Sequence, residues 1–139
     1  MRAVVDTKVI AYHLVGTETF RQECGAFWRA ATEAIAPASW EAELANVAWR
    51  AARSGVFSAE ESQRRLDLAT ALGIRSVSVA SLWHGAVARA CASGIAAYHT
   101  LFVALAAREK LPLVTFDVAV LKAYPAIACQ PAALLARAP

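Results

Sequence analysis

The stretch AAYHTLFVALAAREKLPLVTFDVAVLKAYP, residues 96–125, changes its hydrophobic pattern partway along. From Tyr98 to Glu109 the apolar residues are nearly continuous, which predicts a helix. Leu113-Val114-Thr115 then reads as a short strand, and Asp117 sits just beyond it. A short helix to Tyr124 follows, stopped by Pro125. An acid directly after a buried strand and before a helix recurs at the start of the chain. There Ala3-Val4-Val5 is a buried strand ending at Asp6, and Val9 to Val15 is a first short helix.

The same alternation runs between these two ends. Thr17 to Ala34 carries Phe20, Cys24, Phe27, Trp28 and Ala31 at one-faced helical spacing. Ile35-Ala36 is a weak strand cut short by Pro37. Ser39 is the expected N-cap of a helix reaching about Arg53, with Gly55 at its end. Ser58-Ala59-Glu60-Glu61 is a capping-box sequence, and its helix runs to about Leu72, closed by Gly73. Ile74 to Val79 is a third strand, Ser81 opens a helix ending near Gly94, and Ile127-Ala128-Cys129 is a last edge strand. Pro131 to Pro139 reads as a tail. Strands alternating with helices imply crossover units and a parallel sheet covered on both faces. Ligands of such sheets bind beyond the carboxyl ends of the strands, and Asp6 and Asp117 both fall there.

At 139 residues the chain suits one domain, residues 1–139. Hydrophobic residues make up 58% and charged residues 18%, much of the excess being alanine in helical runs. No apolar stretch reaches the roughly 18 uncharged residues of a spanning helix. The N-terminus meets Asp6 before any signal-like apolar core forms. The expectation is a cytoplasmic protein with no membrane partner. Cys24, Cys91 and Cys129 lie far apart without paired spacing, which argues for free thiols over disulfides or a zinc knuckle. The net charge of +3 permits a nucleic-acid partner without demanding one.

Four stretches taken together carry a further signal: VVDTKVI at 4–10, PASWEAELANVAWR at 37–50, AAYHTLFVALAAREKLPLV at 96–114 and TFDVAVLKAYP at 115–125. Their order and flanking residues resemble the PIN-domain family, above all the VapC toxins of bacterial toxin–antitoxin pairs. The resemblance spans essentially the whole chain and is strongest at the first strand and over the last third. It implies an α/β fold, a three-layer α/β/α sandwich with a central parallel sheet of about four to five strands. It also implies a metal-dependent endoribonuclease, in which acids at the strand ends hold Mg²⁺ or Mn²⁺. Hard cations of this kind take oxygen ligands, activate water and stabilise charge on a phosphodiester.

Position by position, Asp6 matches the first family acid, Glu43 the second and Asp117 one after the fourth strand. These three are the expected catalytic and metal-holding residues. Glu41, offset by two from Glu43, points elsewhere on its helix and is expected to be solvated. Without the family pattern, a helix cap is the better reading of Asp6, and Asp117 is open to the same reading. Thr115 is either a hydrogen-bond partner of the acids or an ordinary strand threonine.

Two positions depart from the family. The remaining acid normally follows a tyrosine at the start of the helix, and here Tyr98 is followed by His99. Lys8 stands where a small polar residue is usual. The site therefore carries less negative charge than a set of four acids. His99 at a helix N-terminus, where positive charge is disfavoured, keeps a ring nitrogen free to ligate. Imidazole in the fourth metal position favours a softer ion such as Mn²⁺ over Mg²⁺. Lys8 has three readings: it modulates the metal, replaces the cation by pairing with Asp6 or Asp117, or reaches into solvent.

Trp28, Trp40, Trp49 and Trp83 have core-like spacing and most are expected in the core or an interface, with base stacking by Trp40 a second reading behind core packing. Tyr98 is expected to pack rather than react. The function implied is cleavage of RNA by a VapC-like toxin, with an antitoxin protein as partner and a homodimer as assembly. The alternative is a catalytically degraded PIN domain serving as an RNA- or protein-binding module.

Overall fold

A computed structural model describes residues 1–16 and 18–138. At its centre lie five parallel strands: β1 (Arg2–Val5), β2 (Glu33–Pro37), β3 (Arg75–Val77), β4 (Leu113–Val114) and β5 (Ala128–Cys129). Their order is β3-β2-β1-β4-β5, with every neighbouring pair parallel. Among the described residues eight helices flank them: α1 (Thr7–Val15), α2 (Glu18–Ala30), α3 (Ser39–Arg53), α4 (Ala59–Ala71), α5 (Trp83–Ser93), α6 (Ala97–Glu109), α7 (Val118–Ala123) and α8 (Pro131–Arg137). The architecture is the expected α/β/α sandwich. Successive strands leave β1 in one direction to β2 and β3 and in the other to β4 and β5. The strand order therefore reverses beside β1, where open α/β sheets place their ligands.

The strands are apolar without alternation because both faces are covered. Ala3, Val4, Val5 and Ile35 are fully buried. The helix α6 packs on β1, β2 and β4, and its residues Thr100 to Ala106 are all buried. Such a helix must be apolar all round, as its sequence is. Its one buried hydroxyl, Thr100 Oγ1, donates to the Ala86 carbonyl of α5 at 2.7 Å, so no polar group is left unmatched there.

Several boundaries differ from those expected. Helix α2 ends at Ala30, not Ala34, because Glu33 and Ala34 pair with Arg2 and Ala3 across the sheet. The parallel ladder overrides the good helical propensity of Ala31, Glu33 and Ala34, as tertiary context commonly does. The expected start of that helix, Thr17, lies outside the described residues. Ser39 is the first helical residue of α3 and Ala38 occupies the cap, so Ser39 does not cap. Ser58 does cap α4, accepting from the Glu61 N–H at 3.0 Å. The third strand is only Arg75–Val77, and a 3-10 turn at Val79–Ser81 precedes α5. The expected tail is largely helix: α8 starts at Pro131, packs on α2, and the Ala132 N–H donates to Glu23 Oε1 at 2.9 Å. Pro139 lies outside the described residues.

Glu33 joins three strands at the other end of the sheet, pairing with Arg2 and Arg75. The Arg2 hydrogen bond above all, then that of Arg75, holds its carboxyl below the usual range. A depressed carboxylate stabilises the fold above its unfolded pKa, and the gain is lost as pH falls through the folded value. Glu33→Gln is therefore expected to lower the melting temperature slightly at neutral pH. The difference should vanish in acid, and one that persists there would contradict the assignment.

The cysteines are free, Cys24 and Cys129 buried and Cys91 exposed. Burial pushes the Cys24 thiol up to about 12 and raises that of Cys129. A thiolate-selective reagent should therefore modify Cys91 alone in the native chain and all three thiols after denaturation. No single helix among the described residues is long and apolar enough to cross a membrane.

Candidate active site

Asp6 follows β1 directly and, at 8% exposure, is buried. Asp117 follows β4, the strand beside β1, by a few residues. Thr115 lies between the two acids. Its fully buried hydroxyl donates to Asp6 Oδ2 at 2.6 Å and accepts from the Asp117 N–H at 3.0 Å. One side chain thus sets the spacing of acids more than a hundred residues apart in sequence. Asp117 also caps α7, its Oδ1 accepting from the Val120 N–H at 2.9 Å. The cap reading of Asp117 therefore holds, and its carboxylate lies next to the cleft-lining His99 without lining the cleft itself.

Glu43 comes from α3, the helix after β2, and is half-buried. With Asp6, Thr7, Lys8, Asn46, Arg50 and His99 it lines one cleft of about 230 Å³. Glu41 points away, is exposed and accepts from Ser76 Oγ at 2.9 Å. Burial raises the pKa of both Asp6 and Glu43, and the charge of Asp6 raises that of Glu43 further. Two carboxylates are thus held close together where water does not fully solvate them.

His99, near the start of α6, turns Nδ1 toward Asp117 Oδ2 at 3.6 Å. Its imidazole also lines the cleft. Lys8 lies on the cleft wall, is exposed, and makes no ion pair among the described residues. The geometry therefore has Lys8 reaching into solvent at the rim, not bonded to Asp6 or Asp117.

Some expectations about neighbouring aromatics do not hold. Trp40 is 7% exposed and donates Nε1–H to Ser76 Oγ at 2.8 Å, so its core reading holds and its ring is unavailable for stacking on a base. Trp49 and Trp83 are more than half exposed, and Tyr98 is 72% exposed rather than packed. Helical spacing of apolar residues does not distinguish a covered face from an open one. Thr7, Ser39 and Asn46 were not among the expected site residues. For Asn46 a signal existed: Glu43, Asn46 and Arg50 fall three and four apart on α3, on one face.

Three side-chain atoms around Glu43 are buried without a hydrogen-bond partner: Glu43 Oε1, Thr7 Oγ1 and Ser39 Oγ. The two hydroxyls lie close enough to favour the Glu43 carboxylate, but not at hydrogen-bonding geometry. Leaving such atoms unmatched costs about 1–3 kcal/mol each. A hard divalent cation, which takes carboxylate and hydroxyl oxygens, fits this donor set. Among the described residues no three of His, Cys, Asp and Glu close on a common point as a ready-made cage.

Comparison with known proteins bears on the same arrangement. A solved structure described as the crystal structure of VapBC2 from Rickettsia felis bound to a DNA fragment from their promoter contains a similar chain. The two share 16% identity, with a TM-score of 0.64, over 94% of this chain and 98% of that one. At that identity the likeness is one of fold. No curated protein matches. A family model described as PIN domain matches residues 3–125, which takes in Asp6, Glu43, His99 and Asp117. A match over that length places the chain: it belongs to the PIN domain family.

Proposed function

We propose that the chain is a metal-dependent endoribonuclease of a VapC-like toxin–antitoxin pair, acting on RNA at the cleft of Asp6 and Glu43. The observation that carries this reading is the pairing of Asp6 and Glu43 in one cleft beside the strand at which the sheet order reverses, with Asp117 tied to Asp6 through Thr115. A divalent cation bound there would activate water and stabilise charge on a phosphodiester.

The chain's own residues have distinct tasks in this reading. Asp6 and Glu43 supply the carboxylates that bind, and Thr115 orients Asp6 by its hydrogen bond. Asp117 closes the outer side, paired with His99. Lys8 and Arg50, both exposed on the cleft wall, attract the phosphate backbone as it approaches. The oxygen donors suit Mg²⁺, and the imidazole of His99 tilts the preference toward Mn²⁺.

The partners in this reading are RNA, an antitoxin protein and a second copy of the chain, in the cytoplasm. The antitoxin rests on the fold shared with the VapBC2 structure. The test is incubation of the purified protein with a pool of structured and single-stranded RNA in Mg²⁺, in Mn²⁺ and in EDTA. Cleavage that needs a metal and Asp6 supports the nuclease. The rival is a PIN domain that binds without cutting. It draws on the pairing of His99 with Asp117 where the family has another acid. Absence of cleavage with either ion, from folded protein, would favour it.

A further inference from the structure

The acids at the cleft are not equally available to a ligand. Both oxygens of Asp117 face partners, Oδ1 the Val120 N–H at 2.9 Å and Oδ2 the His99 Nδ1 at 3.6 Å. Asp6 accepts from Thr115 through Oδ2 alone, and its carboxylate lines the cleft. Glu43 Oε1 is buried, with only the Thr7 and Ser39 hydroxyls near it and neither at hydrogen-bonding geometry.

Beside it is a side chain the acid pattern does not include. Thr7, the first residue of α1, is only 4% exposed, lines the cleft with Asp6 and Glu43, and leaves Oγ1 without a hydrogen bond. Among the described residues, three of the five buried side-chain atoms without a hydrogen bond belong to Thr7, Ser39 and Glu43. Buried polar atoms are ordinarily matched, and their concentration at one place points to something that matches them together.

We propose that this site takes one divalent cation, not two, seated on Asp6, Glu43 and the hydroxyl of Thr7, with Asp117 and His99 held outside it as a pair. The inference rests on the metal-nuclease reading and deepens it. Two carboxylates balance the charge of one dication. Lys8 on the same wall opposes a second, and His99 stands where another acid would have helped to hold it. A neutral hydroxyl suits a hard cation, which accepts any oxygen ligand. Ser39 is left to orient the Glu43 carboxylate.

The test is titration of the full chain, freed of metal by chelation, with Mn²⁺. Calorimetry measures affinity, and the paramagnetic signal of free Mn²⁺ counts ions bound. One Mn²⁺ per chain is expected. Thr7→Val should weaken binding by about tenfold or more, and Thr7→Ser should keep it near the native value. Asp117→Asn, which preserves the cap, should cost less than Thr7→Val. Melting curves in EDTA confirm that each variant is folded. Two ions per chain, or Asp117→Asn weakening binding more than Thr7→Val, would overturn the inference and leave the nuclease reading standing on its Asp6-dependent cleavage. Absence of any Asp6-dependent binding would overturn both.

Discussion

Asp6→Asn is expected to lower metal-dependent RNA cleavage by about 10²-fold or more while leaving the fold intact. A bound cation contributes several kcal/mol to stabilising the transition state, and each 1.36 kcal/mol is about tenfold in rate. Asparagine keeps the shape of aspartate and an oxygen to accept from Thr115, so the loss falls on charge alone. Stability should move the other way. Burial raises the Asp6 pKa, meaning that the folded chain holds its carboxylate at a cost. That cost is present above the folded pKa and disappears below the ordinary value of 3.8, where both states are protonated. In EDTA at neutral pH the variant should melt at a higher temperature than the native chain, and the gap should narrow as pH falls toward that value. A variant that still cleaves at the native rate would remove Asp6 from the chemistry. A variant that melts well below the native chain would show that the carboxylate serves the fold instead.

The largest stability loss is expected from Phe102→Ala, about 3–5 kcal/mol. Phe102 is 2% exposed in the middle of α6, the helix that packs on three strands. Removing its ring leaves a cavity that neighbours on a stiff sheet fill only in part. The same helix carries His99 at its start, so loosening it is expected to disturb the pairing with Asp117 as well. Urea unfolding followed by circular dichroism measures the loss. A shift of under about 1 kcal/mol would mean that the core repacks around the gap.

The sequence by itself determined the parallel α/β class and the extent of most helices. Runs such as Ala3 to Val5 are apolar at every position because a sheet covered on both faces leaves no polar side, and this is visible in one dimension. Asp6 and Asp117 were legible as candidates because ligands of such sheets bind at strand ends. Glu43 was legible only through its likeness to a family, since an acid in an alanine-rich helix has no local mark of burial.

Only the tertiary structure decided what meets what. The hydrogen bonds from Thr115 to both acids join residues far apart in the chain, and no spacing encodes them. That Trp40 is covered while Trp49 and Trp83 are open depends on which helix packs over each, and periodicity treats the three alike. The unmatched hydroxyl of Thr7 is invisible in sequence for the same reason. A threonine in the first turn of a helix is unremarkable until the burial that removes its water, and the carboxylates brought beside it, are fixed by contacts distant along the chain.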